Sequence, residues 1–318
     1  MANTDWCYFQ GDSEQKEFKA PTAPPWRIRK NRVKSYCTFS DKVKKMVSAA
    51  LILRRPLLIT GNPGIGKSSL AEAVMHELKL GDEVLYWRIG TQSKLKDGLY
   101  SYDALSRLQD VQTGEEDSEG EKISKKIENY LKLEALGTAF TSKTQRVVLI
   151  DEIDKSPIDL PNNLLHIFEE NEFEIPELKR LKNYSFDNGE GFHTIDNGLV
   201  KCDIDTFPLI IMTSNGERDF PMAFMRRCLH LELKDPTDKE LAKIVNKHFE
   251  QIKVKLDQEK LEKIIRSFIK LRDSEENKVY LSTDQLLNAV YLMEQDESID
   301  LTNADDEMID GIWKNLLG

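Results

Sequence analysis

The chain has 318 residues, 40% hydrophobic and 31% charged, enough apolar material for about two domains with a sizeable core. Its formal net charge of −10 argues against bulk binding to nucleic acid or to an anionic membrane surface. The first residues, Met1 to Cys7, show no basic region followed by an apolar core, and no apolar run approaches the roughly 18 residues that span a bilayer. A cytoplasmic protein with no membrane association is expected. Its four cysteines, Cys7, Cys37, Cys202 and Cys228, include no C-x-x-C pair and read as reduced thiols.

Residues 1 to about 25 are polar and end in Pro21-Thr22-Ala23-Pro24-Pro25, which reads as a loose arm that Trp6, Tyr8 and Phe9 could anchor in part. The basic run from Arg27 to Lys34 reads as a solvated entry segment. From Phe39 to Leu53 the pattern is helical, with Val43, Met46, Val47, Ala50 and Leu51 on one face. Pro56 to Thr60 is a buried strand, Ser69 to Leu78 a helix, and Glu83 to Ile89 a second strand. Ala104-Leu105 lies in a short helix, Thr113 to Glu121 is an acidic surface loop, and Ile123 to Leu136 reads as a helix. Gln145 to Asp151 is a third strand, apolar as a central parallel strand should be.

Asn162 to Asn171 is a helix, and 172–206, around Gly189 and Gly191, is a hairpin insertion. Phe207 to Met212 is a fourth strand and Cys228 to Leu233 a fifth. Beyond Pro236 the chain is helical, over Asp238–Phe249, Gln258–Leu271, Thr283–Met293 and Asp305–Leu316, with Ser282 and Thr283 as N-cap candidates. No internal repeat is visible. The expected plan is an arm and lead-in over 1–37, an α/β domain over 38–234 and a helical domain over 235–318.

The stretch Gly61-Asn62-Pro63-Gly64-Ile65-Gly66-Lys67-Ser68 fits the phosphate-cradling pattern G-x-x-x-x-G-K-[ST] without mismatch, between a strand and a helix as that motif requires. Glycines let the backbone turn so that several N–H groups converge on one anion, and the helix N-terminus adds the positive end of its dipole. Lys67 reaches the β- and γ-phosphates, and Ser68 can hold Mg²⁺. The phosphate-binding set is completed by Ser69.

Val147-Val148-Leu149-Ile150-Asp151-Glu152 ends a buried strand in two acids. Asp151 stands where it can hold the Mg²⁺ shell, and Glu152 where it can polarise a water for attack on the γ-phosphate. Ile210-Ile211-Met212-Thr213-Ser214-Asn215 is another buried strand ending in polar residues, and the amide of Asn215 can hold that water or touch the γ-phosphate. There is no H-E-x-x-H or other zinc spacing and no G-x-S-x-G nucleophile motif.

GNPGIGKSS, VVLIDEID, IIMTSN and FPMAFMRRC, in this order and at these intervals, resemble an AAA+ ATPase. The lead-in from Ala49 to Ile59, Tyr102-Asp103-Ala104-Leu105, and Phe220-Pro221 through Arg226-Arg227 are similar to the MoxR-like branch. The likeness covers about residues 38–295. It implies an α/β fold, a P-loop core with five parallel strands ordered 5-1-4-3-2, a helical lid, and a homo-oligomeric ring, usually a hexamer. ATP is favoured over GTP, since the guanine element N-K-x-D is missing. In the family the residue matching Asn215 is sensor 1, and the paired arginines supply a finger to the neighbouring subunit's site. Arg227 matches the finger best, with Arg226 assisting. Such fingers are worth about 10³-fold or more in rate.

One departure concerns sensor 2, an arginine at the start of a lid helix in many members. Asp284 stands about there, and an acid repels phosphate. Lys234 and Arg272 are possible substitutes, or lid coupling to nucleotide is weak. The resemblance implies a remodelling motor or chaperone for a protein client. MoxR-like proteins often work with von Willebrand A domain proteins, and some sit in bacterial defence clusters. The alternative is a nucleotide-gated switch or scaffold with little turnover, signalling to a separate effector. A subunit of a nucleic-acid machine is disfavoured by net acidity. In the 172–206 insertion, Phe192 and His193 could grip a client, or the segment is a plain surface hairpin.

Overall fold

Apolar runs bounded by turns build the central sheet. The computed structural model describes residues 23, 24, 26, 39–114, 127–179, 183–187, 192–251, 253–273 and 281–295. The arm apart from Ala23 and Pro24, the basic run 27–34, the acidic loop 115–121, the helix expected over Asp305–Leu316, Gly189, Gly191, Cys7 and Cys37 lie outside these residues.

In chain order the elements begin with α1 (Asp41–Leu53), β1 (Leu57–Thr60), α2 (Lys67–Leu78), β2 (Leu85–Arg88), α3 (Leu95–Leu99), β3 (Tyr100–Tyr102) and α4 (Ala104–Thr113). Next come β4 (Leu131–Leu133), α5 (Ala135–Phe140), β5 (Val147–Asp151), α6 (Leu160–Glu170), β6 (Glu172–Glu174), β7 (Asn183–Asp187), β8 (Phe192–Asp196) and β9 (Leu199–Lys201). The rest are β10 (Leu209–Ser214), α7 (Met222–Arg227), β11 (Leu229–Glu232), α8 (Asp238–Gln251), α9 (Gln258–Arg272) and α10 (Thr283–Gln295).

Chain contacts divide these into two units. One unit comprises Phe39–Thr60 and Leu70–Glu232. It holds a five-stranded parallel sheet in the order β11-β1-β10-β5-β2. Numbering only this sheet's strands along the chain, the order is 5-1-4-3-2. Every residue of β5 and β10 is buried, which is why both read as unbroken apolar runs. The edge strands β2 and β11 bury only one residue each and read as mixed. Because all five strands are parallel, their carboxyl ends share one edge. Thr60 pairs with Ser214 there, and Arg88 pairs with Asp151.

Four sequence expectations change in this unit. The helix expected over Ile123–Leu136 is, in its described part, a 3-10 turn at Ile127–Asn129, then β4, then the start of α5. Leu131, Lys132 and Leu133 alternate with period two, and β4 pairs antiparallel with β3. The short helix around Ala104-Leu105 runs ten residues, from the Asp103 cap, whose Oδ1 accepts from Ser106 N at 2.9 Å, to left-handed Gly114. The 172–206 insertion is a four-stranded antiparallel sheet ordered β6-β9-β8-β7, of which the expected hairpin, β7 with β8, is one part. β10 starts at Leu209, two residues late, because Phe207 closes a 3-10 turn and Pro208 has no N–H for the ladder.

The other unit joins Gly61–Ser69 to the chain from Leu233 onward. Its core is helical. Leu241, Val245 and Phe249 of α8, Leu261, Ile264, Ile265 and Phe268 of α9, and Leu286, Leu287 and Val290 of α10 form one buried cluster at helical spacing. Asp257 caps α9 through the N–H groups of Glu259 and Lys260. Trp26 packs onto this cluster, its ring centroid 5.8 Å from Phe249 and 5.6 Å from Tyr291, and its Nε1 donates to Asn288 Oδ1 at 2.9 Å. Trp26 itself is therefore anchored on the helices.

Close packing of α5 in the sheet-bearing unit gives a direct test. A Cβ on Gly137 would lie 2.0 Å from the carbonyl oxygen of Leu99. Gly137→Ala should destabilise the protein by about 1–3 kcal/mol, as overpacking does. Urea unfolding that leaves the midpoint unchanged would contradict this packing.

Candidate active site

The loop after β1 needs its glycines. Gly61, Gly64 and Gly66 all have positive φ, at 148°, 75° and 92°. Gly61 and Gly64 are also places of close approach. A Cβ on Gly61 would sit 2.6 Å from the Leu233 carbonyl oxygen, and one on Gly64 would sit 2.1 Å from Ser282 Cβ. Lys67, 7% exposed, turns its ammonium back on the loop and donates to the carbonyls of Gly61 at 2.6 Å and Asn62 at 2.8 Å. The side chain of Asn62 donates to Asp235 at 2.8 Å. Ser68 and Ser69 continue into α2.

Ser282 and Gln285 cap α10 reciprocally. Gln285 N donates to Ser282 Oγ at 3.4 Å, and Ser282 N donates to Gln285 Oε1. Thr283 N donates to the Gly64 carbonyl at 3.4 Å. Asp284 is exposed and accepts from Asn288. Of the cations considered as substitutes for a sensor arginine, Arg272 is held by Asp273 and by the Pro236 carbonyl, and Lys234 is exposed.

At the strand ends of the sheet, Thr213 ties two acids together. Its hydroxyl donates to Asp151 Oδ1 at 2.5 Å and accepts from Glu152 N at 2.9 Å. Tyr86 Oη donates to the other oxygen, Oδ2. Burial and the hydrogen bond to Asp151 push the Tyr86 phenol up to about 12, so it stays a donor. Glu152 is left-handed, with φ 61° and ψ 47°, a conformation costing about 1–3 kcal/mol for a non-glycine residue. Buried Asp151 before it and buried Ile153 after it hold it there. The Glu152 carboxylate accepts from Lys155 Nζ at 2.9 Å, which raises the Lys155 pKa.

Asn215 is placed through its backbone. Asp154, 5% exposed, accepts from Asn215 N at 2.8 Å and from Glu217 N at 3.2 Å. Arg218 braces the same turn through Ser156, donating to its carbonyl at 2.7 Å and its hydroxyl at 3.0 Å.

Arg226 and Arg227 end α7, where Arg55 caps their carbonyls. Arg227 is ion-paired with Glu169, while the exposed Arg226 side chain has no such pair among the described residues.

The structure thus gathers Asp151, Glu152 and Asn215 at one sheet edge and puts Lys67 on its loop. It adds Tyr86, Thr213, Asp154 and Lys155, which sequence reasoning passed over. Thr213, Asp154 and Lys155 could have been found, since they stand inside or beside the quoted motifs. Tyr86 stands on the strand that the implied order 5-1-4-3-2 sets beside β5, but it lies in no motif and nothing local marks its hydroxyl as a partner of Asp151.

The oxygens of Ser68 and Asp151 are hard donors of the kind Mg²⁺ takes. Among the described residues no group of three or more His, Cys, Asp or Glu is gathered as a metal site, and no helix is long and apolar enough to cross a membrane. Burial pushes the thiols of Cys202 and Cys228 up to about 12, which leaves neither reactive.

No match is found among curated proteins. Among solved structures, the RuvB Holliday junction branch migration motor of Thermotoga maritima is 15% identical at a TM-score of 0.46, over 89% of this chain and 73% of that one. C. elegans PCH-2 is 16% identical at 0.43, over 90% and 70%. Likenesses this shallow carry no argument about activity. The family model described as AAA domain (dynein-related subfamily) matches residues 56–227, more than half of the chain, from the start of β1 to the end of α7. That span holds the glycine loop, the paired acids and the arginine pair in one continuous match, and by it the chain belongs to the AAA family and is an ATPase.

Proposed function

We propose that this ATPase works as a MoxR-like ring that remodels or activates a partner protein. The observation that carries the chemistry is the Thr213 hydroxyl of β10, which ties Asp151 and Glu152 together at the end of β5. In this reading the N–H groups of Gly61–Ser69 and the Lys67 ammonium bind the phosphates of ATP. Ser68 and Asp151 would hold Mg²⁺, which when bound neutralises charge developing on the phosphates. Glu152 accepts a proton from the attacking water as the water oxygen bonds to the γ-phosphorus and the bond to the β-phosphate oxygen breaks. ADP and inorganic phosphate are the products. Asn215 orients the water, and Arg226 or Arg227 of a neighbouring copy stabilises the γ-phosphoryl charge. The helices from 235 onward act as the lid. The client reading, including a von Willebrand A domain protein, rests on the sequence resemblance.

Two variants separate binding from turnover. Lys67→Ala should abolish ATP binding, and unchanged affinity by calorimetry would sink the loop assignment. Glu152→Gln should keep binding and lower kcat by about 10² or more. Arg227→Ala or Arg226→Ala should likewise bind but hydrolyse poorly. Mixing either with Glu152→Gln should recover activity if the sites are shared, and no recovery at any ratio would count against a finger in trans. A pull-down with ATP-locked Glu152→Gln identifies the client.

A second reading is a nucleotide-gated switch with low turnover. The specific observation favouring it is that the proposed base is already engaged, by Lys155 at 2.9 Å. The pair is partly exposed, so its release is worth at most about 1 kcal/mol, or roughly 5-fold in rate. Lys155→Ala should raise basal ATPase by about 2- to 5-fold if the pair restrains Glu152. Turnover equal to wild type or below it removes the support for this reading.

A further inference from the structure

We propose that Tyr86 is a positioning residue for the Asp151 carboxylate, setting how the chain presents that group to Mg²⁺. The inference rests on the reading that Asp151 holds the ion.

β5 lies between β10 and β2. Asp151, the last residue of β5, therefore has a strand on either side, and each strand sends one hydroxyl to it. From β10, Thr213 donates to Oδ1 at 2.5 Å. From β2, Tyr86 donates to Oδ2. The parallel register explains the reach, since Arg88 lies opposite Asp151 and Tyr86, two residues earlier on the same face, is the diagonal neighbour. A long aromatic side chain spans that diagonal where a shorter one would not.

One donor leaves a carboxylate free to turn about its χ2 axis, whereas donors on both oxygens from opposite sides fix its plane. Each oxygen still has a lone pair for another partner. Hydroxyls that orient a metal-holding carboxylate in this way matter for affinity nearly as much as the ligands themselves.

Exposure argues against a merely structural role. Tyr86 is 48% exposed, so its ring is no core element of the sheet. Tyr100 provides the contrast. Its hydroxyl donates to Glu177 Oε2 at 2.8 Å, the same chemistry, but the ring is 4% exposed and packs in the core. Tyr100→Phe is thus a matched control, away from the acids at the end of β5.

The test compares Tyr86→Phe, Tyr100→Phe and Asp151→Asn in the full chain. Calorimetry measures ATP binding in EDTA and across a Mg²⁺ series, and steady-state ATPase is read over the same series. Tyr86→Phe should leave the melting temperature and EDTA binding unchanged. It should raise the half-saturating Mg²⁺ on the order of 10-fold in both assays. Tyr100→Phe should lower the melting temperature and leave the Mg²⁺ dependence alone. If Asp151→Asn shifts the Mg²⁺ dependence but Tyr86→Phe does not, the proposal is wrong while the reading of Asp151 stands. If Asp151→Asn shifts nothing, the reading of Asp151 falls and the proposal falls with it.

Discussion

A threonine hydroxyl has one proton to donate and lone pairs to accept with, and Thr213 uses both on consecutive residues of the neighbouring strand. That is possible only because β10 and β5 run parallel and side by side, with Met212 opposite Ile150. The bond to the Asp151 carboxylate and the bond from the Glu152 amide then act on either side of one peptide unit. They favour the left-handed turn that swings Glu152 out of the strand line. An unsupported residue would leave that conformation, since its cost is about 1–3 kcal/mol. The acid pair therefore depends on a third residue whose chemistry is modest and whose position is fixed by the sheet. Asp154 extends the logic in the opposite direction, from the turn after β5 back to the amides of Asn215 and Glu217. Two strand ends are stitched together twice, once by a hydroxyl and once by a carboxylate.

The glycine loop is governed by a different constraint, the space around its backbone. Gly64 combines a positive φ with a neighbour, Ser282, that leaves no room for a side chain. The amide of Thr283, at the first turn of α10, points at the Gly64 carbonyl. The start of α10 touches the loop, and Asp284 supplies no cation there. The helix that meets the loop is itself capped by the closed Ser282–Gln285 pair.

Legibility followed the strength of local signals. β1, β5 and β10 were plain from sequence because burial on both faces demands continuous apolar runs, and α8, α9 and α10 because each buries a stripe at helical spacing. The glycine loop and both acids were plain because phosphate binding and strand-end carboxylates leave a fixed spacing. β4 was misread as helix since three residues cannot establish a period against a longer neighbouring pattern. The sheet formed by β6, β9, β8 and β7 read as a hairpin because short antiparallel strands declare their partners only in three dimensions. Tyr86 was invisible for the same reason. Its partner lies 65 positions away, and even with the two strands expected side by side no motif singles out the residue that reaches across.

Two ion pairs hold groups on which the proposed mechanism depends. Lys155 engages Glu152, and Arg227 engages Glu169, with every side chain in both pairs about a third exposed or more. Pairs in such surroundings contribute roughly 0–1 kcal/mol, and salt screens them further. A phosphate oxygen offers an arginine a charge-assisted partner of the same kind as a carboxylate does. Neither pair therefore locks its group in place. Asp151, Thr213 and Asp154 are buried, Glu152 is half-buried, and the two arginines are exposed.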